Sequence, residues 1–172
     1  MKLAPLSEMW PQYPDGTRAQ VAALVGGACG ENITKYNWDT CCIRLSRSLN
    51  YSARPIEGFS SLITKHMDPK GSKLRASKGA DEKWYIYSTY DLRVYLVARF
   101  GQPQKFKGDL TELKTELARI KGIIAFAYRH VDLWDGTDVR YNQEFANGTK
   151  RVKEVFIWET PGDPAPSSVP SP

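Results

Sequence analysis

The sequence predicts an α+β fold, with helices packed against an antiparallel sheet, on three observations. Before residue 121 the apolar residues recur at helical spacing. After it they gather in short runs suited to strands, and the turn signal Asp135-Gly136 follows one of them.

Taken in order, residues 1–16 carry three prolines and read as an irregular arm. Thr17 to Val25 is a helical patch (Ala19, Val21, Ala22, Leu24, Val25) stopped by Gly26-Gly27. The stretch from Cys29 to Thr40 is polar and reads as turns. A second helix is expected from Cys41, with Thr40 or Asp39 as N-cap and Ile43, Leu45 and Leu49 as its apolar positions. Residues 51–82 read as mostly irregular, with Lys65, Lys70, Lys73, Arg75 and Lys78 spread along them.

Lys83 to Tyr87 follows as a strand. A third helix, capped by Ser88 or Thr89, carries Leu92, Tyr95, Leu96 and Phe100 and ends at Gly101 and Pro103. Leu110, Leu113, Leu117 and Ile120 define a fourth helix after Asp109, closed by Gly122. Strands are expected at Ile123–Tyr128, at His130–Trp134, on the return near Asp138, and at Val152–Trp158. Residues 1–160 thus form one domain, and residues 161–172, rich in proline and serine, a flexible tail.

Composition removes several function classes. With 172 residues, 41% hydrophobic and 12% aromatic, the chain has material for a true core and is not a largely disordered protein. No apolar run approaches the roughly 20 residues of a membrane span, which argues against membrane insertion. Pro5, Ser7, Glu8 and Pro11 interrupt the start, so no secretory signal is expected. Three cysteines are too few for a disulfide scaffold. The net charge of +5 favours polyanionic partners without choosing among them.

Chemistry centres on one cysteine and one histidine. His66 lies in the basic irregular segment and reads as an exposed loop residue, whereas His130 opens the apolar strand HVDLW. A cysteine at a helix start feels the positive end of the helix dipole, and a neighbouring imidazole would complete a thiolate–imidazolium pair. An early cysteine heading a helix and a later histidine on a strand follow the chain order of papain-like hydrolases. Cys42 shares a stripe with Leu45 and Leu49 and should face the core, so Cys41 is the expected nucleophile. Cys29 and Cys42 either bridge or remain two buried thiols. No spaced ligand set suggests a metal, and no cofactor is called for.

The segment GGACGENITKYNWDTCCIRLSRSLN, with GADEKWYIY, the helix ending in GQP, KGII and HVDLWDG, resembles the fourth family of type VI secretion amidase effectors. The resemblance implies a papain-like (NlpC/CHAP-type) fold and a cysteine amidase that cuts peptidoglycan stems between D-glutamate and meso-diaminopimelate. It places the nucleophile at Cys41 and the histidine at His130. It also implies three partners: the wall polymer, a cognate immunity protein and the type VI apparatus. The protein would be made in the cytoplasm and delivered to the target-cell periplasm. Cys42 stands where the family usually has proline, and the cysteines that follow the histidine strand in some members are missing.

The third catalytic member is less direct. The family aspartate falls at Tyr141, and a turn one residue longer brings Asn142 opposite His130. Asn142 is the expected partner, accepting the imidazole Nδ1–H, with Asp138 and Asp132 as alternatives. Arg44 and Ser46 match the family run but read as a helix salt bridge and a solvent-facing hydroxyl. A different class, a non-catalytic basic domain binding wall glycan or nucleic acid, draws on the charge and the five tryptophans. Nucleic acid is not the expected partner, because Phe156, Trp134 and Trp158 sit on apolar strands and read as core.

Overall fold

The computed structural model describes residues 1–57, 74–127, 129–141 and 153–162. The N-terminal segment is not an arm. Leu3, Ala4, Leu6, Met9 and Tyr13 are buried, along a one-turn helix α1 (Leu6–Met9), a 3-10 turn (Trp10–Gln12) and the residues that flank them. Pro5 stands at the N-cap of the first and Pro11 within the first two positions of the second, where a missing N–H costs nothing. Helix α2 (Arg18–Val25) opens with a reciprocal capping box between Thr17 and Gln20.

A further helix, α3 (Gly27–Tyr36), occupies the stretch expected to be turns. Its glycine content hides it from propensity. Gly30 lies so close to α2 that a Cβ would meet the Ala22 carbonyl oxygen at 2.4 Å, while Cys29 and Ile33 pack against Val21, Val25 and Tyr85. Tertiary packing outweighs the weak local preference.

Helix α4 (Cys41–Asn50) is the buried axis of the molecule. A two-stranded unit, β1 (Ala76–Lys78) with β2 (Trp84–Ile86), lies beside it. Two side chains of α4 hold β2: the Ser46 hydroxyl accepts from the Ile86 N–H at 3.1 Å, and Asn50 Nδ2 donates to the Trp84 carbonyl at 2.8 Å. Helix α5 (Thr89–Phe100) is capped by Ser88, as the sequence indicates.

The main sheet has the order β3-β6-β4-β5, all neighbours antiparallel, with β3 (Gln104–Lys107), β4 (Gly122–Phe126), β5 (His130–Trp134) and β6 (Glu154–Glu159). Strand β3 is polar and exposed at the sheet margin, so no apolar pattern announced it. Helix α6 (Leu110–Leu117) ends before Ile120, and Gly122 opens β4 rather than closing the helix. A Cβ at Gly122 would meet the Trp158 carbonyl oxygen at 2.0 Å, so the close β4–β6 pairing requires glycine.

Alternation along β4 divides the core. Ile123 and Ala125 join Leu45, Leu49 and the N-terminal segment, whereas Ile124 and Phe126 join Leu110, Leu113 and Leu117 of α6. Phe156, Trp134 and Trp158 are buried, which removes them from any binding surface. The fold is thus α+β, with helices on an antiparallel sheet. Most of the expected C-terminal tail, residues 163–172, lies outside the described residues.

Candidate active site

Cys41 stands at the first position of α4, and the turn before it is fixed by Asp39, whose Oδ1 accepts the Cys41 backbone N–H at 3.1 Å. Thr40 is the N-cap residue but makes no capping bond; its hydroxyl accepts instead from Arg44 Nε at 3.1 Å. All three cysteines are free thiols, so Cys29 and Cys42 do not bridge. Cys42 faces the core as its stripe requires, yet Cys41 is nearly as enclosed, keeping 5% of its surface. The two sulfurs lie 3.8 Å apart, and Cys42 Sγ is 3.5 Å from Thr89 Oγ1 at the start of α5.

His130 heads β5 and is also buried. On one side it interacts electrostatically with Cys41. On the other, its Nε2 lies 3.2 Å from Asp132 Oδ2. The ring is therefore turned opposite to expectation: Nε2 meets the carboxylate and Nδ1 is left for the thiol. Asp132 is two residues along the same strand, hence on the same side of β5 as His130. Its Oδ1 accepts the Leu133 N–H at 2.8 Å, and its Oδ2 accepts the Tyr141 N–H at 3.3 Å.

Electrostatics follow from these contacts. The Cys41 thiol is lowered to about 6, first by the hydrogen bond from Cys42 and then by that of His130, which together exceed the opposing effect of burial. Burial alone would lower the imidazole. Its hydrogen bonds to Asp132 and Cys41 outweigh that and raise His130 to about 9. Both shifts run in the direction that favours a thiolate beside an imidazolium. Cys29, by contrast, is pushed up to about 12 by burial and then by Asp81, which leaves it inert packing.

The hairpin after β5 is longer than expected. Asp135 Oδ1 accepts the N–H groups of Thr137 and Asp138, and Val139 bridges Trp134 across the four residues 135–138. This register brings Tyr141 alongside Asp132 rather than His130. Asp138 is used within the turn, its Oδ1 accepting the Val139 N–H at 2.9 Å. Asn142 and His66 lie outside the described residues, as do Lys65, Lys70 and Lys73.

Arg44 and Ser46 are both fully enclosed, so neither is the surface group expected of it. Ser46 ties α4 to β2. Arg44 donates through its guanidinium to the carbonyls of Pro14 and Gly16, the latter at 2.7 Å, and stacks 3.7 Å from the Tyr141 ring centroid. Arg140 adds a two-pronged pair with Asp15 at 2.6 and 2.7 Å, and the Tyr141 hydroxyl donates to the Gly16 carbonyl. These contacts strap residues 13–16 over the site and bury the Tyr13 phenol. Burial raises the phenol well above its ordinary value, and the Asp132 charge adds to the shift. The sequence offered no signal for this strap, because its bonds end on backbone oxygens far away in the chain. Among the described residues, no three His, Cys, Asp or Glu side chains group so as to hold a metal ion.

Helices on an antiparallel sheet, with a thiol, an imidazole and a carboxylate in line between them, define an α+β protein with a thiol-centred site. Residues 37–158 match the family model of type VI secretion system (T6SS) amidase effector protein 4, Tae4, and the chain belongs to that family. The architecture agrees with solved structures. Tae4 from Salmonella typhimurium, bound to the immunity protein Tai4 from Enterobacter cloacae, superposes with a TM-score of 0.75 at 25% identity, covering 92% of this chain and 99% of that one. The Salmonella typhimurium Tae4/Tai4 effector–immunity system gives 0.74 at 26% identity with the same coverage. Tae4 from Enterobacter cloacae, at 22% identity and TM-score 0.73, shares the fold over 94% of this chain and 100% of that one. No sequence among the curated proteins matches the chain.

Proposed function

We propose that the chain is a papain-like (NlpC/CHAP-type) cysteine amidase that hydrolyses peptide stems of peptidoglycan, at the bond between D-glutamate and meso-diaminopimelate. The observation that supports this is the line from Cys41 through His130 to Asp132: a thiol lowered to about 6 beside an imidazole raised to about 9. Cys41 thiolate attacks the amide carbonyl carbon to give a tetrahedral oxyanion. His130 passes its Nδ1 proton to the amine nitrogen as the C–N bond breaks, leaving a thioester. A water then loses a proton to His130 as its oxygen adds to that thioester, and the acid product departs with the thiolate restored. Asp132 orients the ring and stabilises the imidazolium, the part expected of Asn142.

As a T6SS effector, the protein would be carried from the producing cell's cytoplasm into the periplasm of a target bacterium. An immunity protein like the Tai4 partners of the Salmonella and Enterobacter effectors would protect the producer. The test is mass analysis of purified peptidoglycan digested with wild type, Cys41→Ala and His130→Ala. New amine and acid termini at the stem are expected with wild type alone. Unchanged fragments from a folded wild type would overturn the proposal.

A further inference from the structure

Cys42 is a buried thiol for which the mechanism above has no use. Packing alone does not account for its surroundings. Its sulfur lies 3.8 Å from Cys41 Sγ and 3.5 Å from Thr89 Oγ1, so three heteroatoms from α4 and α5 form a short chain ending on the reacting sulfur. Every link must be a hydrogen bond with one proton, and the direction follows from chemistry. A thiolate at Cys41 can only accept, so Cys42 must donate its S–H to it. The Cys42 sulfur is then free to accept from the Thr89 hydroxyl.

We propose that Cys42 is a positioning residue of the catalytic thiol: its S–H donates to Cys41 Sγ, and the Thr89 hydroxyl donates to Cys42 Sγ. The inference rests on Cys41 being the nucleophile. Cys42 suits the part because its own thiol is raised well above the ordinary value, by the bond to Cys41 and then by burial, which makes it the proton-holding sulfur of the pair. The helix start favours a thiolate, but two features of its surroundings oppose one. Burial opposes the charge, and Asp39 stands before the helix as a like charge. Facing the sulfur from β5 are His130 and its partner Asp132, and from the N-terminal strap Tyr13, while Arg44 lies one turn along α4. Of these, only His130 offers a proton directly to Cys41. Cys42 is the second donor, and it brings no charge that would later have to be removed.

The test titrates Cys41 by its rate of alkylation with iodoacetamide across pH, reading the modified peptide by mass, in wild type, Cys42→Ala, Cys42→Ser and Thr89→Val. Hydrolysis of a stem peptide is followed in parallel with Cys41→Ala as control. In Cys42→Ala the midpoint should rise by about one pH unit, so that about tenfold less thiolate forms on the acid side, the low end for a hydrogen bond to a charged group. The acid limb of hydrolysis should move with it. Cys42→Ser, which keeps a donor, should restore most of the shift, and Thr89→Val should give a smaller change of the same sign. Cys42→Ala titrating as wild type, or Cys42→Ser displaced as far as Cys42→Ala, would refute the role. Should Cys42→Ala fail to fold, Cys42→Val, which keeps the volume without a donor, takes its place: a midpoint raised as expected for Cys42→Ala supports the role, the wild-type midpoint refutes it, and Thr89→Val at the wild-type midpoint removes the second link. A Cys41→Ala protein that still hydrolyses the stem would instead sink the amidase reading, whatever the alkylation midpoints.

Discussion

His130 Nε2 and Asp132 Oδ2 meet at 3.2 Å although the two residues sit on one strand, separated only by Val131. Alternation makes the pairing local: side chains two apart stand on the same side, and no second strand is needed to deliver the carboxylate. The backbone N–H groups of Leu133 and Tyr141 hold that carboxylate, and the buried setting strengthens its pull on the ring. Asp132→Asn should lower kcat by up to about ten-thousandfold, the scale seen when the aspartate orienting a catalytic imidazole becomes an amide. Asn142→Ala should stay within about threefold of wild type if Asp132 holds the role. Equal losses in both variants would return Asn142 to the site. The measurement is release of new amine from a synthetic stem peptide.

The same pair sets the pH dependence. Cys41, lowered to about 6, becomes thiolate as pH rises through that value, and His130, raised to about 9, stays protonated until pH passes it. The proposed mechanism needs both, so kcat/KM should form a plateau between about 6 and 9, falling on either side. In Asp132→Asn the alkaline limb should move to lower pH, because the carboxylate that raises the imidazole is gone. An alkaline limb that stays put would show that another group titrates there.

Much of this was legible in the chain. Cys41 at a helix start and His130 opening an apolar strand follow from capping residues and apolar spacing, both local signals. The contributions that were not legible act across the chain. Tyr13 reaches Asp132 from a segment whose prolines suggested an arm, and α3 is held by packing of Cys29 and Ile33 rather than by its own propensity. The register after β5 escaped for a smaller reason. The Asp135 carboxylate draws Thr137 and Asp138 into the turn and lengthens it, so that Tyr141, which a two-residue turn would set opposite His130, lies alongside Asp132. Asp132 was visible as a candidate in the sequence, and its contact with His130 lies within β5, independent of that turn.

Asp39 has two effects on the nucleophile that substitution can separate. Its carboxylate accepts the Cys41 N–H at 3.1 Å, and its charge raises the Cys41 thiol. Asp39→Asn keeps the acceptor and removes the charge; Asp39→Ala removes both. In each the acid limb of activity should move below 6. Only Asp39→Ala should lose stability, by about 1 kcal/mol, as for a deleted N-terminal cap. Urea denaturation alongside the pH profile reads both quantities. An unmoved acid limb in both variants would show that the Asp39 charge does not reach the sulfur.

Arg44 should matter to activity without touching substrate. It is buried, and its guanidinium holds the Pro14 and Gly16 carbonyls and the Thr40 hydroxyl while covering the Tyr141 ring. Arg44→Ala leaves those carbonyls to find other partners and opens a cavity beside the strap, at a cost of about 3 kcal/mol. For a chain of this size that corresponds to a fall in Tm of roughly 6–12 °C. Arg44→Lys should recover less than half of it, because an ammonium cannot serve two carbonyls and stack on an aromatic ring together. Loosening the strap also frees Tyr141, whose N–H holds Asp132, so kcat should fall in Arg44→Lys while KM changes little. Thermal unfolding and steady-state hydrolysis of a stem peptide test this, and a lysine variant with wild-type Tm and kcat would show that Arg44 is replaceable by any cation.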